Sequence, residues 1–509
     1  MFKLFVFIII SVICVVRAHD LEFKYHSNEE LSDVLKGFAE NPAGSNLRRN
    51  LYNIGLSSGR PKSNIKPSPL WVLELTAAPE GKIGVPNIKL VGNVHGTETA
   101  GREVLLHFIQ YLIDEYGTNE KITWLLNNTR IHIVPSLNPD GFAVAQPNNC
   151  YGCSTCLGMG VTDQDILISS NFPDYFHANE VLEHAAETQA VMKWMKDVKF
   201  VLSGSFFGSF VVAIYPYCNK NETFTVNPTP DDDVFQHLAR TYAKNHVNMY
   251  KGESCPNSKK KFVDGIVNGA SWQNHDADMT DYNYIFRGCM DVRFEISCCK
   301  YPQSEELENI WNDNKNALVE YCFQANRGVT GRILDAETND PVESNLMVVG
   351  RNMEFQNFPQ TGEFWRILLP GDYTLEVKAN GYYTHRQNFT VKDYGQDFPI
   401  LTNLTIYLEN STISTTTTTL STTTETTTIQ PSTSVATSAR TSTNRTTATD
   451  IITQKSTMKR ILTKKTTIME KENVTSIEPL QIVKQNNSGY YLAQNEALFV
   501  TILLLPRLI

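Results

Sequence analysis

The sequence predicts an α/β domain, a mixed β-sheet flanked by helices, followed by a small β-sandwich. Three observations carry that expectation. Apolar runs of strand length alternate with segments of helical periodicity across residues 19–326. Short apolar runs separated by Gly, Pro, Asn and Asp turns then fill residues 327–408. From residue 409 the composition turns to Ser and Thr, with too little apolar surface to offset the entropy of ordering it. A chain of 509 residues has room for two or three domains.

The elements follow in order. Residues 1–18, MFKLFVFIIISVICVVRA, join a lysine, an apolar run and a small-residue cleavage site, the pattern of a secretory signal peptide. Leu70–Ala77 and Ile88–Val94 read as strands. Arg102–Gly117 has apolar residues at helical spacing and a Gly stop. RIHIVPSL, from Arg130, reads as a further strand, and NPDG, from Asn138, as a turn. GVTGRILDAET, NLMVVG, EFWRILLPGDYTLEVKANGYY and HRQNFTV supply the strands of the β-sandwich. Residues 409–466 read as an O-glycosylated stalk. Residues 467–509 contain the small residues Asn487, Ser488 and Gly489, a short polar spacer and an apolar tail from Ala497. That order suggests a glycolipid (GPI) anchor signal, which makes a membrane surface an expected partner; a membrane-associated tail and secretion without an anchor are the alternatives.

A net charge of −9 with no basic stripe argues against nucleic acid as a partner. Cys14 leaves with the signal, so nine of the ten cysteines remain, and disulfides are expected in a secreted chain. The odd count leaves at least one thiol free or paired with another chain. Cys150, Cys153 and Cys156 have the spacing of a metal knuckle but no fourth ligand nearby. Sequons at Asn127, Asn221, Asn388, Asn403, Asn410, Asn444, Asn473 and Asn486 agree with secretion.

The stretch VGNVHGTETAGRE sets His95 and Glu98 three residues apart. They are ligand types for a catalytic zinc, which takes three protein ligands and keeps one position open. Alone, the pair is as readily an ordinary loop pair.

Several stretches occur together and in order: KYHSNEEL, LWVLELT, VGNVHGTETAGREVLLHFIQYL, TRIHIVPSLNPDGF, SNFPDYF, IYPY, VNGASW, DYNYIF and EISCCKYP. In these the chain resembles the secreted zinc carboxypeptidases of family M14, nearest the regulatory N/E subfamily. The resemblance implies a mixed eight-stranded sheet with the site at the carboxyl ends of central strands, and a transthyretin-like β-sandwich after it. It implies zinc as cofactor, a peptide or protein ligand in the cleft, and removal of C-terminal residues, typically Lys or Arg.

Carried over by position, His95 and Glu98 match the first two metal ligands, and Glu295 the general base. The third ligand is expected eight residues before Tyr215, and Phe207 stands there, with no lone pair for a metal. The aspartate that would orient the metal-binding histidine is Leu167. The Asn-Arg pair that would hold a terminal carboxylate is Ser169 and Ser170, which lack the charged fork. The oxyanion arginine falls near Met159 and Gly160, and no Arg occurs from Phe142 to Asn179. The mobile tyrosine is Gln273, and two specificity positions are Cys218 and Thr280.

Two readings follow. One is a non-catalytic homologue that uses the cleft for binding, because the third zinc ligand and the carboxylate-binding Arg are missing. The other is an active zinc carboxypeptidase with a non-standard site and altered specificity, His275 or His132 being the candidate replacement donors. Without a cation, Glu98 and Glu295 together are expected to raise one carboxyl pKa or to engage His95.

Overall fold

The computed structural model describes residues 21–150, 158–178, 183–219, 226–256, 258–272, 275–395 and 398–411. The signal peptide, the stalk, the anchor signal, Cys153, Cys156, Gln273 and the sequons at Asn221, Asn444, Asn473 and Asn486 lie outside the described residues.

Eight strands form one mixed sheet: β1 (Arg48–Leu56), β2 (Pro69–Thr76), β3 (Asn87–Gly92), β4 (Arg130–Val134), β5 (Phe200–Phe207), β6 (Val211–Tyr215), β7 (Ile266–Asn268) and β8 (Met290–Ile296). Their order is β1-β2-β4-β3-β5-β8-β6-β7. The central strands β4, β3, β5 and β8 run parallel, with antiparallel joins at β1-β2, β2-β4 and β6-β8.

Side chains alternate across a strand, so each face of the sheet gathers its own core. Leu73, Leu90, Phe206 and Phe294 pack on one face with α2 (Ala100–Glu115), α6 (Asp232–Asn245) and α9 (Leu307–Phe323). Val72, Val91 and Phe207 pack on the other with α5 (Ala186–Asp197) and α8 (Met279–Arg287). The remaining helices are α1 (Asn28–Ala39), α3 (Glu120–Asn128), α4 (Pro139–Val144) and α7 (Gly269–Trp272). Helix α2 lies close on β5 because residue 101 is glycine: a Cβ there would stand 2.7 Å from the Phe206 Cβ.

The NPDG segment departs from the expected turn. Asn138 accepts a hydrogen bond from the Gly141 N–H and Pro139 occupies the first helical position, so the segment opens α4. The remaining strand and helix expectations fall on β2, β3, β4 and α2.

Beyond the sheet, β9 (Val329–Asp335), β10 (Asn345–Val348), β11 (Glu354–Gln356), β12 (Glu363–Arg366), β13 (Gly371–Lys378), β14 (His385–Val391) and β15 (Thr402–Leu408) form two sheets, β11-β10-β13-β14 and β12-β9-β15. All these pairs are antiparallel except β15-β9. Val329, Phe364, Leu375 and Ile406 share the core between them.

Charged groups join this region to the larger sheet. Asp231, fully buried ahead of α6, accepts from Arg351 at 2.9 Å and from the Tyr284 hydroxyl at 2.7 Å, and pairs with buried Arg366. Arg351 also forks onto Asp233 at 2.7 and 2.8 Å. Removing one member of such a buried network leaves the others uncompensated. We therefore expect Asp231→Ala to cost about 3–5 kcal/mol, read as a lower denaturant midpoint, with Asp231→Asn losing less. An unchanged midpoint in Asp231→Ala would remove this pairing as the element joining the two regions.

Candidate functional site

The carboxyl ends of β3, β5 and β8 meet at one edge of the sheet, where open α/β sheets place ligands. His95 and Glu98 lie on the loop between β3 and α2, Phe207 closes β5, and Glu295 sits next to last in β8. The register sets Phe207 beside Glu295 and Ser205 beside Arg293. Period two along β8 then puts Arg293 and Glu295 on the same face as Phe207.

The His95 loop is held by its own sequence. Asn93 adopts a left-handed backbone (φ 52°) and donates from its side chain to the carbonyls of His95, Gly96 and Glu98 at 3.0, 3.1 and 3.3 Å. Gly96 is required because a Cβ there would lie 2.3 Å from the Gly158 carbonyl oxygen. Its N–H donates to Met159 O at 3.1 Å, which is what the segment expected to carry the oxyanion arginine supplies instead.

Ser169 stands 2.8 Å from His95 Nε2. With the serine hydroxyl as donor, the neutral ring carries its proton on Nδ1, an assignment that follows from the partners. Nδ1 faces Glu98 Oε1 at 3.1 Å. Burial pushes His95 below its ordinary pKa, with Glu98 pulling it back. Glu98 Oε1 also accepts from Lys300 Nζ at 2.9 Å, and Oε2 from the Gly208 N–H at 3.2 Å. Burial works against the Glu98 charge, yet His95, Lys300 and Arg293 hold its carboxyl below the usual carboxylate range.

Across the site, Arg293 Nη2 donates to Glu295 Oε1 at 2.9 Å. The Arg293 guanidinium carbon lies 4.1 Å from the centre of the Phe207 ring, and that ring meets His95 edge-on at 5.1 Å. All four side chains are buried. Burial opposes the Arg293 charge, but Glu295, Glu98 and Asp278 more than restore it. Burial pushes Glu295 up to about 7, against the pull of Arg293 and with Glu98 adding to the rise. The expected consequence of two carboxylates thus falls on Glu295, while Glu98 engages His95.

The other positions singled out from sequence are placed as follows. Leu167 precedes the 3-10 turn Ile168–Ser170, which carries Ser169 and Ser170. Buried Cys218 lies with Asp278 and Asp281, and the Asp278 carboxylate caps α8 by accepting from the Thr280 N–H at 2.7 Å. His132 is excluded as a replacement donor: its ring is held by the Tyr52 hydroxyl at 2.9 Å and Asn87 Oδ1 at 3.2 Å. His275 does come near His95, Glu98 and Arg293, and burial first, then Arg293, push it down to about 3. The disulfides expected of a secreted chain are present: Cys150 pairs with Cys299, and Cys255 with Cys298. Cys218, Cys289 and Cys322 remain as buried thiols.

Whether these residues fit a zinc ion can be judged from the donors. The 3.1 Å between His95 Nδ1 and Glu98 Oε1 suits two corners of a tetrahedron. Ligands at about 2.0–2.2 Å from zinc stand roughly 3.3 Å apart. The third corner is missing. Among the described residues, three donor atoms of His, Cys, Asp or Glu converge only at Asp174–His177–Asp276 and Cys218–Asp278–Asp281. Neither group includes His95 or Glu98. The Lys300 ammonium is already on Glu98, and the Phe207 ring stands edge-on against His95. The donor set does not complete a zinc site.

The sequence matches the zinc carboxypeptidase family, peptidase M14, over residues 65–317. It is 39% identical to carboxypeptidase M of Mus musculus over 388 residues, covering 75% of this chain and 84% of that one. It is 35% identical to the catalytic chain of carboxypeptidase N of Rattus norvegicus, covering 68% and 79%. A crystal structure of thrombin activatable fibrinolysis inhibitor superimposes with a TM-score of 0.45 at 16% identity, over 59% of this chain and 74% of that one. The chain belongs to the zinc carboxypeptidase family.

Sequence reading missed Arg293, Lys300 and Asn93. Arg293 had a usable signal: in MDVRFEI the charged residues Asp291, Arg293 and Glu295 alternate with apolar ones, so Arg293 shares the face of Glu295.

The Glu295 shift has a checkable sign. A carboxyl raised in the folded state keeps a proton that the unfolded chain loses, so its contribution to stability falls as pH rises from 4.5 to about 7. The Tm of Glu295→Gln should therefore gain on that of the parent across this window. A constant difference would place the Glu295 titration at its ordinary value.

Proposed function

We propose that this protein is a secreted or surface-anchored member of the zinc carboxypeptidase family that no longer hydrolyses peptides. It uses the cleft at the ends of β3, β5 and β8 to hold a peptide or protein ligand. One observation supports the reading above the others: the Phe207 ring stands where the third donor is needed, against His95 and under Arg293. Ser169 adds to it. A hydroxyl bound to His95 cannot fork the terminal carboxylate of a substrate, and positioning that carboxylate is part of how such an enzyme lowers its barrier. Glu295, the matched general base, accepts a hydrogen bond from Arg293.

In this reading residues 19–326 form the carboxypeptidase-like domain and residues 327–408 a transthyretin-like sandwich. The signal peptide, the Ser/Thr-rich stalk and the anchor signal place them at the cell surface. The disulfides Cys150–Cys299 and Cys255–Cys298 fit an oxidising compartment. The relatives are named as carboxypeptidases, so a peptide segment is the natural class of ligand.

A second reading has one observation behind it. Half-buried His275 lies within the electrostatic reach of His95 and Glu98 and is the candidate replacement ligand of an active enzyme.

Zinc content and release of C-terminal Lys or Arg, measured on one purified sample of the secreted protein, separate the two. The proposed function expects zinc far below one per chain and no released residue. Stoichiometric zinc that is lost in His95→Ala would overturn it, and zinc lost also in His275→Ala would establish the second reading.

A further inference from the structure

We infer that Arg293 is the resident cation of this site: its guanidinium takes the electrostatic place of a metal ion, with the Phe207 ring as its support. The inference rests on the non-catalytic reading above and deepens it by naming what replaced the ion.

The carboxylates set the requirement. Glu98 and Glu295 are 3% and 2% exposed, and Asp278, also buried, lies within the field of Arg293. Ionised carboxylates in such a place need a partner charge and hydrogen bonds. In a metal site the ion supplies them. Here two side chains do. Lys300 reaches in from the loop after β8 and binds Glu98. Arg293 rises from the sheet itself, 6% exposed, and binds Glu295.

Phe207 and Arg293 are complementary. The ring offers its negative face to the guanidinium at 4.1 Å, and the parallel pairing of β5 with β8 fixes the two strands that carry them. Position 207 therefore does two things at once: it withholds a lone pair from the third corner and seats a cation beside the other two. A divalent ion bound to His95 and Glu98 would face a guanidinium that Glu295 keeps in place. Loss of the ligand and gain of the cation are one coupled change, so restoring the imidazole alone does not restore the metal.

The test compares Arg293→Met, Arg293→Lys, Phe207→His and Phe207→His/Arg293→Thr with the parent, as full-length secreted proteins. Tm and zinc content are read after incubation with excess zinc and dialysis. The parent Tm should be indifferent to zinc and to a chelator. Arg293→Met should lower Tm on the order of 10 °C, with Arg293→Lys recovering part of the loss, since the charge returns without the planar fork. Phe207→His should take up little zinc, and the double variant about one per chain, held more weakly because Leu167 gives His95 no orienting carboxylate.

Two results would overturn the inference: an Arg293→Met protein as stable as the parent, or a Phe207→His protein that alone binds one zinc. If Arg293→Met is not secreted, the zinc contents of the two Phe207 variants still decide. Zinc in the parent would defeat the non-catalytic reading itself. A zinc-free parent with an indifferent Arg293→Met would defeat this inference alone.

Discussion

A buried carboxylate stays ionised only beside a cation, and in this protein that constraint is met at Glu98, whereas Glu295 is pushed up to about 7 even with Arg293 on it. The scaffold around them is that of a zinc carboxypeptidase. Asn93 and Gly96 shape the loop that presents His95, Gly101 lets α2 close on β5, and the β5-β8 register brings position 207 beside Glu295. What differs is the source of positive charge. Lys300 and Arg293 supply it as side chains whose length and direction are fixed by the chain. A side-chain cation differs chemically from an ion. It cannot be removed by a chelator, it has no open coordination position, and it does not acidify a bound water as zinc does.

The consequences run outward from the sheet. Ion pairs and an aromatic face lock the side chains at the ends of β3, β5 and β8 in one arrangement. The same rigidity extends to the second region, where Asp231 gathers Arg351, Arg366 and Tyr284. The cleft and the sandwich are thus parts of one framework. Cys298 and Cys299, adjacent in sequence, pin two separate loops next to Lys300 and so hold that cation in reach of Glu98.

Much of the fold was legible in the sequence because its signals are local. Apolar runs marked β2, β3 and β4, and helical spacing marked α2. The change to short strands after residue 326 marked the second region. The NPDG segment misled because Asn-Pro is both a turn signal and a helix cap, and only the Asn138 side chain on Gly141 decides between them. In the site, His95 and Glu98 drew notice by their spacing, and Glu295 and position 207 were singled out through the family resemblance. The partners did not. Lys300 meets Glu98 across 202 residues, and Ser169 meets His95 across 74, pairings that no local periodicity encodes. Ser169 entered only as a residue unable to do another's work, and the fold gives it a task of its own on the imidazole.

The central claim is that side chains, not a metal, balance the charge at the ends of β3, β5 and β8. X-ray diffraction from crystals grown in excess zinc, recorded at the zinc absorption edge, tests it most directly. The account predicts no anomalous peak between His95 and Glu98, with Arg293 still on Glu295 and Phe207. A full-occupancy peak there, with Arg293 swung away and another donor completing a tetrahedron, would contradict it.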